Sequence, residues 1–136
     1  MDIKTIFKSK KILAIAAIII LIPIIVFSCS HHKKKVLLDK IIDSHYDNAA
    51  VCKEKYDGKE VTFICKVSSV DSSLDHFFVN SFDNEGVNIS CNLTNEKQKE
   101  QAKKMKRGDE IEIKGTLHLF DEFGFIIEVD VEKISR

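Results

Sequence analysis

The chain has 136 residues, 21 Lys plus Arg, 21 Asp plus Glu, 44% hydrophobic residues and one Pro, which suits one ordinary domain with a short appendage and excludes a multidomain enzyme. The formal net charge of zero is a sum of unlike parts. Residues 1–35 hold seven lysines against Asp2, net +6, whereas residues 36–136 hold 14 basic and 20 acidic side chains, net −6, a balance that argues against a polyanion-binding body.

Lys4, Lys8, Lys10 and Lys11 precede an apolar run from Ile12 to Phe27, the charged and apolar regions of a secretory signal. As a helix this run is roughly 24 Å long, short of the ~30 Å core of a bilayer. Val26-Phe27-Ser28-Cys29 resembles the lipobox of bacterial lipoproteins, in which the signal is cleaved ahead of the cysteine and the cysteine is acylated; the resemblance marks Cys29 as the lipidation site. The alternative is an uncleaved signal anchor. Residues 1–28 are therefore expected to be a signal peptide or anchor and residues 29–35 a polar tether. Residues 36–136 are expected to form a domain held outside the cytoplasm in the cell envelope. Lys33, Lys34 and Lys35 could contact anionic lipid headgroups.

From Val36 to Tyr56, apolar residues at Leu37, Leu38, Ile41, Ile42, Ala49, Cys52 and Tyr56 approach the spacing of a one-faced helix, which Asn48 could divide in two. Gly58 ends it. Val61, Phe63, Cys65 and Val67 alternate with polar neighbours as a first strand, and a second is expected from His76 to Phe82. After the turn residues Asp83-Asn84-Glu85-Gly86, a third strand alternates Val87, Ile89, Cys91 and Leu93. Asn95 to Arg107 reads as a short helix, capped by Asn95 with Gln98 three residues on and with its basic residues late. A fourth strand alternates Ile111, Ile113, Gly115, Leu117 and Leu119, and a fifth runs from Phe125 to Ile134.

Five strands with a helix between the third and fourth is the element order of the OB-fold. The expected class is mainly β with α: a five-stranded OB-fold barrel preceded by an N-terminal helix. An internal echo supports it, because the ten residues from Gly58 match the ten from Gly108 in pattern, with Cys65 and Gly115 at the place where a barrel strand bends.

The body resembles the tRNA_anti-like family of small bacterial lipoproteins and membrane-anchored proteins. The likeness rests on Tyr46 with Asn48-Ala49-Ala50, on Lys55-Tyr56-Asp57-Gly58-Lys59, on Val67-Ser68-Ser69-Val70 and on Ile89-Ser90-Cys91. Lys106-Arg107-Gly108-Asp109 with Ile113-Lys114-Gly115 completes it. It covers residues 38 to 134, with Cys65 standing where the family usually has Gly. The resemblance implies an OB-fold and an envelope location, and no reaction.

OB-folds usually take ligands across strands two and three, between the loops after strand one and between strands four and five. The outward candidates on that mapping are Phe78, Asn80, Phe82, Asn88, Ser90, Asn92, His118, Phe120 and Phe123. The bland reading of Phe120, Phe123 and Phe125 is that they close the barrel end and pack on the first helix. Cys65 and Cys91 share an inward parity, so a disulfide between them and two buried thiols filling core volume are the competing readings, and the second is preferred. No Cys or His spacing suggests a metal, no cofactor is implied, and His45, His76 and His118 are too scattered to indicate catalysis. The expected activity is non-catalytic binding of a protein, peptide or glycan, with membrane contact through the lipid or anchor. Nucleic acid is disfavoured, because the one dense basic cluster, Lys103 to Arg107, lies away from the usual face. A nucleic-acid-binding OB-fold of the anticodon-binding type and an uncharacterised envelope enzyme are the alternatives.

Overall fold

In the computed structural model, the described residues are 23–87, 89–121 and 124–136. They fall into two units divided between His32 and Lys33. In the first, residues 23–32 are helical and Cys29 is exposed. Residues 1–22 of the targeting segment lie outside the described residues. Among those described, no helix is long and apolar enough to cross a membrane.

In the second unit the single helical pattern becomes two helices, α1 (Leu37–Asp47) and α2 (Ala49–Tyr56). Asn48 separates them with extended dihedrals (φ −161°, ψ 97°), and its side-chain oxygen accepts from the Val51 amide at 3.2 Å, satisfying one of the orphan donors of the new helix. Leu38, Ile41 and Ile42 stand three and four residues apart and are fully buried. Asp39 is also buried, and its Oδ1 accepts from the backbone amides of Asp83 and Asn84 and from the Asn84 side chain, all within 3.2 Å. One carboxylate thus fastens α1 to the loop after the second strand.

The strands are β1 (Glu60–Val70), β2 (His76–Asn80), β3 (Ile89–Asn92), β4 (Glu110–Phe120) and β5 (Ile126–Ser135), with α3 (Glu96–Ala102) between β3 and β4. They close in the order β1-β2-β3-β5-β4, with β3 and β5 parallel and the other pairs antiparallel. This is the expected OB-fold. Phe63, Cys65, Val67, Phe77, Val79, Ile89, Cys91, Ile113, Leu117, Ile127 and Val129 fill the interior, each at the inward parity. Fully burying a side chain such as Phe63 or Phe77 contributes roughly 1.5–3 kcal/mol.

Several boundaries differ from the sequence reading. β1 continues to Val70 because Ser68 is the extra residue of a bulge, which lets the strand curl from β4 to β2. β2 stops at Asn80, since Ser81 turns inward and its hydroxyl meets the Asn84 amide. β3 is Ile89–Asn92 rather than Val87 to Leu93. α3 ends at Ala102, five residues earlier than expected. Asn95 caps it as anticipated, but Gln98 is buried and donates to the carbonyls of Val131 and Glu132 while accepting from the Thr94 amide, which docks the helix on β5. Residues 29–35, expected as a polar tether, are helical. Lys34 pairs with Glu112 and Lys35 with Glu110, both at 2.8 Å, so these two lysines belong to the body.

Gly115 shows why the strand pattern needs a glycine there. A Cβ at this position would lie 2.4 Å from the Asp130 carbonyl oxygen and 2.9 Å from Val129 Cγ1. Opposite it β5 carries its own bulge, with Glu132 as the extra residue between the partners of Gly115 and Lys114. The other half of the echo holds at the turns, where Gly58 and Gly108 both have positive φ.

Candidate ligand face

Because inward and outward residues alternate, the outer surface of β2, β3, β5 and β4 can be read across the ladder. His76 lies opposite Asn92, Asn92 beside Asp130, and Asp130 opposite Thr116. One step on, Phe78, Ser90, Glu128 and His118 form a second row, and Phe120 pairs with Ile126 in a third. Phe78, Ser90, His118 and Phe120 are thus brought to one face, as expected; Asn88 and Phe123 lie outside the described residues.

Asp130 is the centre of that face. Its Oδ1 accepts from Asn92 Nδ2 and its Oδ2 meets His118 Nε2, each at 3.0 Å, so one carboxylate bridges β3, β5 and β4. The Asn92 hydrogen bond, the largest effect, holds the Asp130 carboxyl below the usual carboxylate range against burial, which comes second, and the contact with His118 adds to the lowering. At the β1–β2 loop the Asp71 carboxyl is likewise lowered, chiefly by the Ser73 hydroxyl at 2.6 Å. It lies 3.7 Å from His76, whose ring meets Phe78 edge-on at 5.1 Å. The loop contains Leu74 at φ 59°, a left-handed conformation unusual for a branched residue.

Not every candidate belongs to this face. Asn80 is half-buried, and its Oδ1 is shielded without a hydrogen-bond partner among the described residues, so it offers no acceptor outward. Phe82 lies past the end of β2 and carries the ammonium groups of Lys35 and Lys66 over its ring at 5.0 and 5.1 Å. Phe125 follows the bland reading, stacked on His45 of α1 at 3.6 Å and 4°. Phe120 does not, being 45% exposed.

The sequence reading missed Asp130, Glu128, Asp71 and His76. The signal for the first two was present: with Ile127, Val129 and Val131 inward, positions 128 and 130 face out, and the OB-fold order places β5 beside β3.

Cys65 and Cys91 are free and buried, as the preferred reading had it. Burial pushes both thiols far up, which leaves them without nucleophilic thiolate at neutral pH. No group of three or more His, Cys, Asp or Glu among the described residues could hold a metal ion. A notch of about 210 Å³ lies elsewhere, lined by Gln101, Lys104, Met105, Ile134, Ser135 and Arg136.

The family model described as tRNA_anti-like matches residues 26–127, three quarters of the chain. The chain belongs to the tRNA_anti-like family. Solved structures similar to this tRNA_anti-like chain include OBody NL8 bound to hen egg-white lysozyme, at 22% identity and TM-score 0.49 over 57% of this chain and 92% of that one. Another is asparaginyl-tRNA synthetase from Pyrococcus horikoshii, at 26% identity and TM-score 0.45, covering 60% of this chain and 20% of that one. Neither likeness bears on a ligand for this chain. No curated protein matches it.

Proposed function

We propose that this tRNA_anti-like domain is a non-catalytic binding module, tethered to a membrane of the bacterial cell envelope through Cys29 or an uncleaved anchor and held outside the cytoplasm. It takes a protein, peptide or glycan on the face centred on Asp130. The observation that carries the reading is the charge of that face. From β2, β3, Thr116–Phe120 of β4 and Ile126–Asp130 of β5 no lysine or arginine projects, while Glu128 and Asp130 do. A phosphate backbone laid there would meet carboxylates, and affinity for nucleic acid depends on its neutralisation by cations. A peptide or glycan would find hydrogen-bonding groups in Asn92, Asp130, His118 and Ser90, with Phe78 and Phe120 as apolar contacts at either side.

The test is binding of the detergent-solubilised full chain to peptide and glycan arrays, beside a titration with transfer RNA at several salt concentrations. A peptide or glycan bound by the native chain and lost in Phe120→Ser and Asn92→Ala, with melting unchanged, supports the assignment. Transfer-RNA binding that weakens steeply with salt and is lost in the same variants would replace it with the anticodon-binding reading. Turnover of any envelope substrate lost in His118→Ala would replace it with an enzyme.

A further inference from the structure

The acidic face has a counterpart. At the end of the barrel where β4 begins and β5 finishes, the connection after α3 carries Lys103, Lys104, Lys106 and Arg107. Hydrogen bonds from the Gly108 amide to the Val67 carbonyl and from the Val67 amide to the Asp109 carbonyl hold it to β1. Arg136 Nη2 donates to the Lys104 carbonyl at 2.9 Å, which adds a further cation.

The chain enters the domain at this same end. Lys35 reaches Glu110 and Lys34 reaches Glu112, the first and third residues of β4, and this places Lys33 beside them. The acids here are engaged: Glu100 by Lys103, Asp109 by Arg136, Glu110 by Lys35 and Glu112 by Lys34. Lys33, Lys104, Lys106 and Arg107 are exposed and have no acidic partner within ion-pair distance among the described residues.

We propose that this basic end is a docking surface for the anionic phospholipid headgroups of the membrane that tethers the chain, an inference that rests on the tether reading. Two observations select lipid over nucleic acid. The run from Lys103 to Asp109 contains no aromatic side chain on which a base could stack, and the ring at this end, Phe82, is half-buried with the ammonium groups of Lys35 and Lys66 over it. The cations also converge where the chain arrives from the apolar run Ile12 to Phe27, so a tethered domain presents them to the bilayer within the Debye length over which headgroup charge is felt. Docking would fix the direction of the ligand face. From Glu110 to Phe120 β4 spans about 33 Å, so the end with Phe120 and His118 points off the membrane while the basic end lies on it.

The experiment reconstitutes the full chain into vesicles of phosphatidylcholine alone and of phosphatidylcholine with phosphatidylglycerol, then reads lysine labelling by an amine-reactive reagent with mass spectrometry. Labelling of Lys33, Lys104 and Lys106 should fall at least about threefold on the anionic vesicles and return in about 0.5 M NaCl, while Lys59 at the far end labels equally on both. The triple variant Lys104→Glu, Lys106→Glu, Arg107→Glu should float with both vesicles and lose the difference at Lys33. Equal labelling on both vesicles by a chain that floats would overturn the docking surface and leave the tether standing. Protection by an RNA oligomer but not by anionic vesicles would overturn it in favour of nucleic acid. A chain that fails to float on phosphatidylcholine overturns the tether; docking is then read from its sedimentation with the anionic vesicles, whose absence overturns it too.

Discussion

Gly115→Ala tests the link between the barrel's closure and its candidate site. The new methyl carbon would start 2.4 Å from the Asp130 carbonyl oxygen and 2.9 Å from Val129 Cγ1. The nearer obstacle is backbone of the adjacent strand, which cannot rotate aside, so β4 and β5 must separate where the Glu132 bulge already breaks their register. Overpacking of this kind costs about 1–3 kcal/mol, and a backbone obstacle puts the substitution at the upper end. For a domain of about 100 residues, 1 kcal/mol moves the melting temperature by about 4–8 °C, so a fall of about 10–20 °C is expected in circular-dichroism melts of the full chain. Because Asp130 holds Asn92 and His118 with its side chain, their resonances should shift as well. The control is Gly86→Ala, where a Cβ meets nothing within 4 Å and φ is not left-handed; it should change melting by less than about 2 °C. A Gly115→Ala chain that melts within about 2 °C of the native protein would refute the close approach of β4 and β5.

Gln98→Leu strips the buried Val131 carbonyl and the Thr94 amide of their partners; a loss of about 2–3 kcal/mol is expected as a lower urea midpoint at unchanged slope, and an unchanged midpoint would mean α3 is not docked through this side chain. Asp130, whose carboxyl is lowered in the folded chain, contributes stability that is present above about pH 4 and lost as pH falls through the folded value. Asp130→Asn should therefore be less stable than the native chain at pH 6 and converge with it in acid; parallel profiles across that range would remove the charge from the account. Cys65 and Cys91 should resist maleimide at pH 8 until the domain unfolds, whereas an unprocessed, non-acylated Cys29 reacts at once; prompt labelling of either buried thiol would contradict its burial.

Much of the barrel was legible because inward positions are a property of period two, and Phe63, Cys65, Val67, Ile113, Leu117 and Val129 obey it without exception. What failed were ends and bulges. Ser68 has the composition of a turn residue yet lies within β1, because the curl onto β2 is made by an extra residue inside the strand rather than by a loop. Ile64 breaks alternation for a different reason: it is outward in parity but buried, and it pairs with Glu112, to which Lys34 reaches, so chain ahead of α1 lies over that outer patch. Lys103 to Arg107 looked like the basic end of a helix; α3 finishes at Ala102 with Lys103 as its C-cap, and only Lys104 to Arg107 lie beyond it, in the connection to β4. Of the site, the row through Phe78, Ser90 and His118 was readable from parity alone. Asp130 required the strand order as well, since its partners come from β3 and β4.

The residues that identify the family act in the frame. Asp57 accepts from the Leu119 amide at 2.8 Å, while Gly58 and Lys59 exchange backbone hydrogen bonds with Leu117, tying the end of α2 to β4. Gly108 and Asp109 do the same between the α3–β4 connection and β1, and Ile89 and Cys91 point into the core. Family membership therefore constrains how the barrel closes and leaves its outer surface chemically free. On that surface Lys33, Lys104, Lys106 and Arg107 lie exposed where the chain enters, and Glu128 and Asp130 lie on the open face. The net charge of −6 on residues 36–136 is thus unevenly spread over the barrel, and what the domain can bind follows from which part of it a partner meets.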